Sequence, residues 1–371
     1  MRWLLVALVA VLVAACTAQP APRPVVVDGW EQLPAPAAGA RVLAMVPDGD
    51  GLLVLGSVPG PRGRAPAGWT TTDGHVWRAV PLRPATFYGN QAELVAAGVA
   101  GGRITVLGQA FGGAHSNPRM TVWSGTATGL AEHEQPFEMF GGPHAINVSD
   151  DAAALPGSSL LVGQWDGPTG RYGAAVWTSP DGGTWHRDAD DPALASAPGE
   201  QTSALGAAAG PPGFVVSGDT QRGSALVPLL WTSPDGRAWH RVPVPTSAGN
   251  GVEADRVACD GTGCVLAGSA VSGTWQALCW PVTRGTTVGP ARRGPTGGTL
   301  QVSQILLHGN DVYDALRVDD TGRLEHLDRD CTHWSDVPLP VRSAEIRVGT
   351  LASGVLLATT DPAGSRLWLR R

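Results

Sequence analysis

Val176-Trp177-Thr178-Ser179-Pro180-Asp181-Gly182-Gly183-Thr184-Trp185-His186-Arg187 returns almost unchanged as Leu230-Trp231-Thr232-Ser233-Pro234-Asp235-Gly236-Arg237-Ala238-Trp239-His240-Arg241. A looser third copy is Trp69-Thr70-Thr71-Thr72-Asp73-Gly74-His75-Val76-Trp77-Arg78. In each, two tryptophans stand 8 residues apart (177 and 185, 231 and 239, 69 and 77), with a short polar element carrying Asp-Gly between them. This reads as strand, tight turn, strand. The Asp carboxylate can accept backbone N–H groups two or three residues on, and Gly supplies a positive φ without steric cost. The flanking Trp rings are suited to burying large apolar faces against a neighbouring sheet while their N–H groups reach its rim.

These turns resemble the Asp-box, or BNR, repeat of sialidase-like β-propellers. The matching residues are Ser179, Asp181, Gly182 and Trp185, then Ser233, Asp235, Gly236 and Trp239, then Asp73, Gly74 and Trp77. The first copy is one residue shorter than the usual Ser-x-Asp-x-Gly-x-Thr-Trp form. The resemblance implies that these residues are structural and that any ligand funnel opens on the face opposite the hairpins. It does not extend to sialidase chemistry, which needs a Tyr-Glu pair, three Arg and an Arg-Ile-Pro-type motif. The chain has three Tyr and no Arg-Ile-Pro, Leu82-Arg83-Pro84 being the nearest string.

Outward from the hairpins, the third-strand tryptophans fall at 69, 123, 177, 231 and 280, in steps of 54, 54, 54 and 49. Such periods suit four-stranded blades with loops. Six copies follow in order between Arg41 and Pro340, and three strands remain at the end, the last holding Trp368. Asp28-Gly29-Trp30-Glu31-Gln32-Leu33-Pro34 resembles the outer strand of the second hairpin copy and can complete that last sheet. The expected fold is all-β: a seven-bladed β-propeller closed by pairing of the N- and C-terminal strands, with six or eight blades as alternatives. Closure removes the free edges of an open stack.

Residues 1–15 read as a lipoprotein signal peptide, residues 16–24 as a lipidated Cys and Pro-rich tether, and residues 25–371 as the propeller. The apolar run Trp3 to Ala15 is too short to span a bilayer, which takes about 20 residues, and suits a secretory h-region. Val13-Ala14-Ala15-Cys16 is similar to a bacterial lipobox, implying cleavage before Cys16 and its acylation. The expected address is therefore export, with a lipid anchor on the outer side of the cytoplasmic membrane. The bias towards Ala, Gly, Pro and Arg resembles that of secreted actinobacterial-type lipoproteins. Cys259, Cys264, Cys279 and Cys331 remain, an even number in a context that permits disulfides. Cys259 and Cys264 bracket a Gly-rich loop, and a bridge there contributes roughly 2 kcal/mol on the chain-entropy argument. The expected second bridge is Cys279–Cys331.

The formal charge of −6 without a basic cluster argues against nucleic acid. Every basic residue is Arg, which excludes Schiff-base chemistry. No Gly-x-Ser-x-Gly, His-Glu-x-x-His or Walker loop is present. No cofactor and no metal is expected: Asp48-Gly49-Asp50-Gly51 lacks a Glu at the twelfth position of a calcium loop, and Asp188-Ala189-Asp190-Asp191 reads as a solvated connection. The chain is expected to be a monomer that binds or scaffolds a glycan or protein partner. The alternative is a glycan-active hydrolase or lyase of sialidase-like fold. Candidate ligand residues are those the repeat does not use: Tyr88, Trp165, Asp166, Arg171, Tyr172 and Trp275, with Phe87, Phe111, His115, Phe140 and His144 beside them. Aromatics next to carboxylates and Arg suit stacking on sugar rings or gripping a peptide.

Overall fold

The repeated turns satisfy their own backbone. In a computed structural model describing residues 24–111, 118–167, 170–246 and 251–371, Asp181 Oδ1 accepts the N–H groups of Gly183 and Thr184 at 2.8 and 2.7 Å. Asp73 Oδ1 accepts those of His75 and Val76 at 2.8 Å each, and Asp235 Oδ1 that of Arg237 at 2.9 Å. The hydroxyls of Thr71, Ser179 and Ser233 each accept the N–H of the turn glycine at 2.8 Å. The backbone N–H groups of Thr184 and Gly183 hold the Asp181 carboxyl down at about 2. Gly182 has φ +74°, and a Cβ there would lie 2.5 Å from Ser124 Cβ in the preceding sheet. The turn residue is thus Gly both for conformation and for close packing.

Each unit is a meander of antiparallel strands, and seven such sheets are present. Blade 1 runs from Arg41–Asp48 through Gly51–Gly60 and Gly63–Thr71 to Arg78–Ala79. Blade 2 comprises Glu93–Ala100, Arg103–Ala110, Arg119–Thr126 and Gly129–His133, with Leu82–Arg83 added in parallel to its outer edge. Blade 3 is Ala145–Leu155, Ser158–Asp166, Tyr172–Ser179 and His186–Asp188. Blade 4 is Glu200–Gly210, Gly213–Arg222, Ala225–Ser233 and His240–Pro243. Blade 5 is Val252–Cys259, Gly263–Ser272 and Thr274–Thr283, its outer edge divided between Thr287–Val288 and Arg292–Gly297. Blade 6 is Leu300–His308, Asp311–Val318, Thr321–Asp328 and Trp334–Val337. Blade 7 takes Glu345–Leu351, Gly354–Asp361 and Gly364–Arg370 from the C-terminus and Trp30–Leu33 from the N-terminus. Glu31 pairs with Leu369, Gln32 with Trp368 and Leu33 with Leu367, closing the ring. The fold is a seven-bladed β-propeller, which decides against the six- and eight-bladed alternatives.

The core is divided among the interfaces between blades. One buried apolar cluster joins each neighbouring pair: for example Trp123 with Leu53 and Leu55 between blades 1 and 2, and Trp231 with Leu160 and Val162 between blades 3 and 4. The repeated tryptophans also tie the incoming chain. Trp177, Trp231 and Trp280 donate through Nε1 to the carbonyls of Met139, Ala193 and Pro245 at 2.8, 2.7 and 2.9 Å, each in the connection that enters the blade. Trp30 does the same to Pro338 at 2.8 Å for the shared blade.

Both expected disulfides form. Cys259–Cys264 closes the inner hairpin of blade 5, and Cys279–Cys331 staples blade 5 to blade 6. The signal segment, Cys16 and His115 lie outside the described residues. Among the described residues no helix is long and apolar enough to cross a membrane.

Because Trp30 is fully buried and fixes the closing strand, Trp30→Ala is expected to cost roughly 3–5 kcal/mol. Thermal unfolding checks this: the midpoint should fall further than for Trp77→Ala, whose ring is only partly buried. Equal losses would mean that ring closure is not the limiting interaction.

Candidate functional site

Six of the seven innermost strands carry extra residues. Their pairing registers shift between Val42 and Ala44, Leu94 and Ala96, Val148 and Ala152, Ala204 and Gly206, Glu253 and Arg256, and Val302 and Gln304. A bulge bends its strand and re-aims the groups beside it. Here the bulges flank a central channel of about 350 Å³ whose charged and amide residues include Asp150, Asp151, Arg256, Gln301, Gln304 and Arg347. The seventh inner strand, Glu345–Leu351, pairs without a shift and supplies Arg347.

The two arginines are held by backbone oxygens. Arg256 donates through Nη1 to the carbonyls of Leu205 and Asp255, both at 3.1 Å, and through Nε to Ser303 at 3.4 Å. Arg347 donates through Nε to Leu43 O at 2.9 Å and through Nη1 to Ile346 O at 2.8 Å. Among the described residues neither has a carboxylate at ion-pair distance, and neither Nη2 has a hydrogen-bond partner. Asp151 accepts Ala152 N at 2.9 Å and Ala207 N at 3.1 Å, linking blade 3 to blade 4. Burial nevertheless pushes its carboxyl up to about 6, against the pull of the Arg256 charge. Asp150, which accepts a hydrogen bond from Gln109 Nε2, is raised by burial as well. The channel therefore sets fixed cations beside two carboxyls that burial raises, Asp151 to about 6.

A second acidic set lies across blades 4 to 6. Burial first, and then the Glu253 charge, raises Asp219 to about 7. Glu253 and Asp255 share a side-chain hydrogen bond, and burial pushes both upward. Asp314 is fully buried in the second strand of blade 6, opposite Glu325, and neither of its oxygens has a hydrogen-bond partner. Burial, with the charges of Glu325 and Asp255, holds its carboxyl well above the usual range. A lone acid inside the apolar strand Val312-Tyr313-Asp314-Ala315-Leu316 was the available sequence signal. Among the described residues no group of three His, Cys, Asp or Glu is arranged to hold a metal ion.

The six candidate ligand residues do not form one site. Trp165 is a correction to the sequence reading: its ring is 6% exposed, lies edge-on to Trp177 and is covered by the Arg187 guanidinium at 3.8 Å, so it offers no open face. The period-2 alternation of its strand turns it inward. Asp166 is engaged by His144 at 2.9 Å, and Arg171 Nη1 approaches Ala197 O at 3.5 Å. Tyr172 is 38% exposed on blade 3, and Trp275 is half-buried against the cluster between blades 5 and 6. Tyr88 alone enters a cavity with other aromatics. It lines a rim groove of about 450 Å³ at the connection end of blade 2, together with Phe87, Arg119, Glu132, Phe137 and Phe140.

The chain covers 90% of itself and 90% of the polysaccharide lyase Uly1, with 11% identity and a TM-score of 0.50. It is also similar to a Bacteroides uniformis protein assigned as a 6-phosphogluconolactonase, with 12% identity, coverage of 86% and 92% and a TM-score of 0.52. A Trypanosoma rangeli sialidase aligns at 10% identity and a TM-score of 0.46, over 89% of this chain and 54% of that one. No protein-family model and no curated protein matches the sequence. At these identities the likeness shows the propeller fold alone. The channel arginines had no motif by which sequence reasoning could find them.

The buried acids predict the direction of the pH response. Their folded-state values lie above the ~3.9 of an unfolded Asp, so their stabilising contribution is complete below that value and is lost progressively as pH rises from there, through about 6 for Asp151, about 7 for Asp219 and about 8 for Asp255. Asp314→Asn should leave the unfolding midpoint nearly unchanged at about pH 3.5, where the acid is protonated in the folded and the unfolded chain alike. At pH 9 it should gain roughly 1–3 kcal/mol, the usual desolvation penalty of an unsatisfied buried group. Thermal melts at both pH values check this, and a loss of stability at pH 9 would contradict it.

Proposed function

We propose that the chain is an exported, lipid-anchored propeller that recognises a glycan bearing carboxylate groups at the mouth of its central channel. The observation that carries this reading is the pair Arg256 and Arg347. Their guanidinium groups are anchored by strand carbonyls, and each retains an Nη2 without a partner among the described residues. Pre-positioned guanidinium groups suit anionic oxygens, because charge-assisted bonds are strong and little side-chain freedom is left to lose. Gln301 and Gln304 beside them supply neutral amides suited to hydroxyls. Gln304 is itself held across the blade 6 to blade 7 interface, exchanging hydrogen bonds with Val348 N and O at 3.0 and 2.8 Å. A fold shared with a polysaccharide lyase is in keeping with a sugar ligand. The finer identity of the hairpin turns as Asp-box repeats belongs to the same reading, supported by the bond that Asp73, Asp181 and Asp235 each accept from the N–H two residues on.

Titration calorimetry with acidic and with neutral oligosaccharides tests the binding. Acidic oligomers should bind, and Arg256→Gln should weaken them about tenfold or more, as expected for a hydrogen bond to a charged group. Equal affinity for neutral oligomers, or none lost in the variant, sinks the proposal.

A second reading, glycan cleavage, is favoured by Asp151. A carboxyl at about 6 beside an arginine can act as a general acid or base near neutrality. Release of new chain ends from the same oligomers, abolished by Asp151→Asn, would establish it.

The address rests on Cys16 and the apolar run before it. Two or three acyl chains give lasting attachment at about 0.8 kcal/mol per buried CH₂. Cys16→Ala is expected to leave the protein unprocessed or to release it from membranes. Unchanged mature size and unchanged membrane retention would refute lipidation.

A further inference from the structure

The rim groove at the connection end of blade 2 is built from positions far apart in the chain. Thr86 to Tyr88 arrive from the connection after blade 1, Arg119 opens the third strand of blade 2, and Phe137 lies on the short helix Phe137–Phe140 that leads to blade 3. Its one buried acid is already used: Glu132 accepts the N–H groups of Ala85 and Thr86 at 2.6 and 2.8 Å and the Thr86 hydroxyl at 2.5 Å. The cations face aromatic rings instead of carboxylates. The Arg119 guanidinium lies 4.0 Å from the Phe137 ring centroid and 5.6 Å from that of Tyr88, and Arg62 stands 5.3 Å from that of Phe87. Neither arginine has a carboxylate at ion-pair distance among the described residues. Phe87 and Phe137 are 59% and 51% exposed, an unusual cost for Phe unless something covers them.

The groove lies at the connection end of blade 2, and the channel, lined for the most part by the middle of the inner strands, reaches the same end of the ring at Gln301, Ala344 and Glu345, where the inner strands of blades 6 and 7 begin. Blade 2 bridges them: its inner strand borders the channel through Val95 to Ala97, and its third and outer strands border the groove. Phe111, 59% exposed, follows the second strand and so lies between the two. Strands spaced about 4.8 Å apart place aromatic and cationic groups at successive steps from the axis to the rim.

We infer that an extended acidic glycan lies radially along the connection end of blade 2, one residue in the channel and later residues on Phe111 and in the Phe87, Tyr88, Phe137 and Arg119 groove. This rests on the glycan reading above and adds its length and direction. Sugar faces stack on aromatic rings, and the unpaired charges of Arg119 and Arg62 complement carboxylates along the ligand. A neutral glycan would leave Arg119, in the groove beside the exposed Glu134, and Arg62, next to Phe87, without a carboxylate, which favours an acidic ligand over a neutral one.

The test is calorimetric, on the whole mature chain, with oligomers of polygalacturonate, hyaluronan and alginate graded in length and neutral xylan oligomers as control. Affinity should rise with length for an acidic series until the groove is reached. Phe137→Ala and Arg119→Gln should remove that rise, lowering long-oligomer affinity about tenfold while short-oligomer affinity stays as it was. Arg256→Gln should weaken short and long oligomers alike. Phe137 is exposed, so its variant should melt with the parent protein, which separates lost binding from lost fold. If the groove variants leave long-oligomer affinity unchanged while Arg256→Gln lowers it, the radial track is wrong and the channel site stands. If Arg256→Gln has no effect while the groove variants abolish short-oligomer binding, the channel site falls and the track falls with it. Absence of binding to every acidic series overturns both.

Discussion

Three backbone pairs hold the ring shut: Glu31 with Leu369, Gln32 with Trp368 and Leu33 with Leu367. Without them blade 7 would end on an exposed edge, and only the apolar cluster and the few hydrogen bonds between blades 1 and 7 would hold the ring together there. The Trp30 ring fills the wedge between blades 6 and 7, and its indole N–H holds the connection at Pro338. Chain termini 338 residues apart in sequence thereby make one sheet. Closing so long a loop costs entropy that grows only slowly with its length. Burial of a large indole can offset such a cost.

Division of the core into wedges has a consequence for chemistry. Because apolar contacts lie between blades, the axis is left to the innermost strands, whose bulges bring backbone carbonyls next to one another. Those carbonyls need donors. Arg256 and Arg347 supply them, bonding to Leu43, Leu205 and Ser303 across blade boundaries. The same contacts that satisfy the strands also fix two guanidinium groups in the channel. Stability and a cationic site arise from one arrangement.

The acidic residues show the opposing tendency. Asp219, Asp255 and Asp314 sit where water is scarce and like charges are near, and each is held towards its protonated form. Asp181, with two backbone N–H donors and an exposed side chain, is held ionised. The same side chain therefore acts as a turn anchor in one setting and as a neutral acid in another. What separates them is the supply of hydrogen bonds relative to the loss of solvent.

The sequence by itself determined the hairpins, the blade period, the sharing of one blade between the termini and the pairing of Cys259 with Cys264. These rest on short-range physics: an Asp bonding two residues on, a Gly with φ near +75°, period-2 alternation, and Cys residues brought opposite by a short loop. It also placed Tyr88 in a loop that turns out to line a cavity. The count of seven over six or eight, the seating of Trp165 under Arg187 and the assembly of Arg256, Arg347 and Asp151 were decided by tertiary structure alone. A channel residue comes one from each of several strands, and its position depends on bulges that shift register by a residue or more. Such shifts leave no local pattern, because the groups that satisfy the displaced carbonyls lie in another blade.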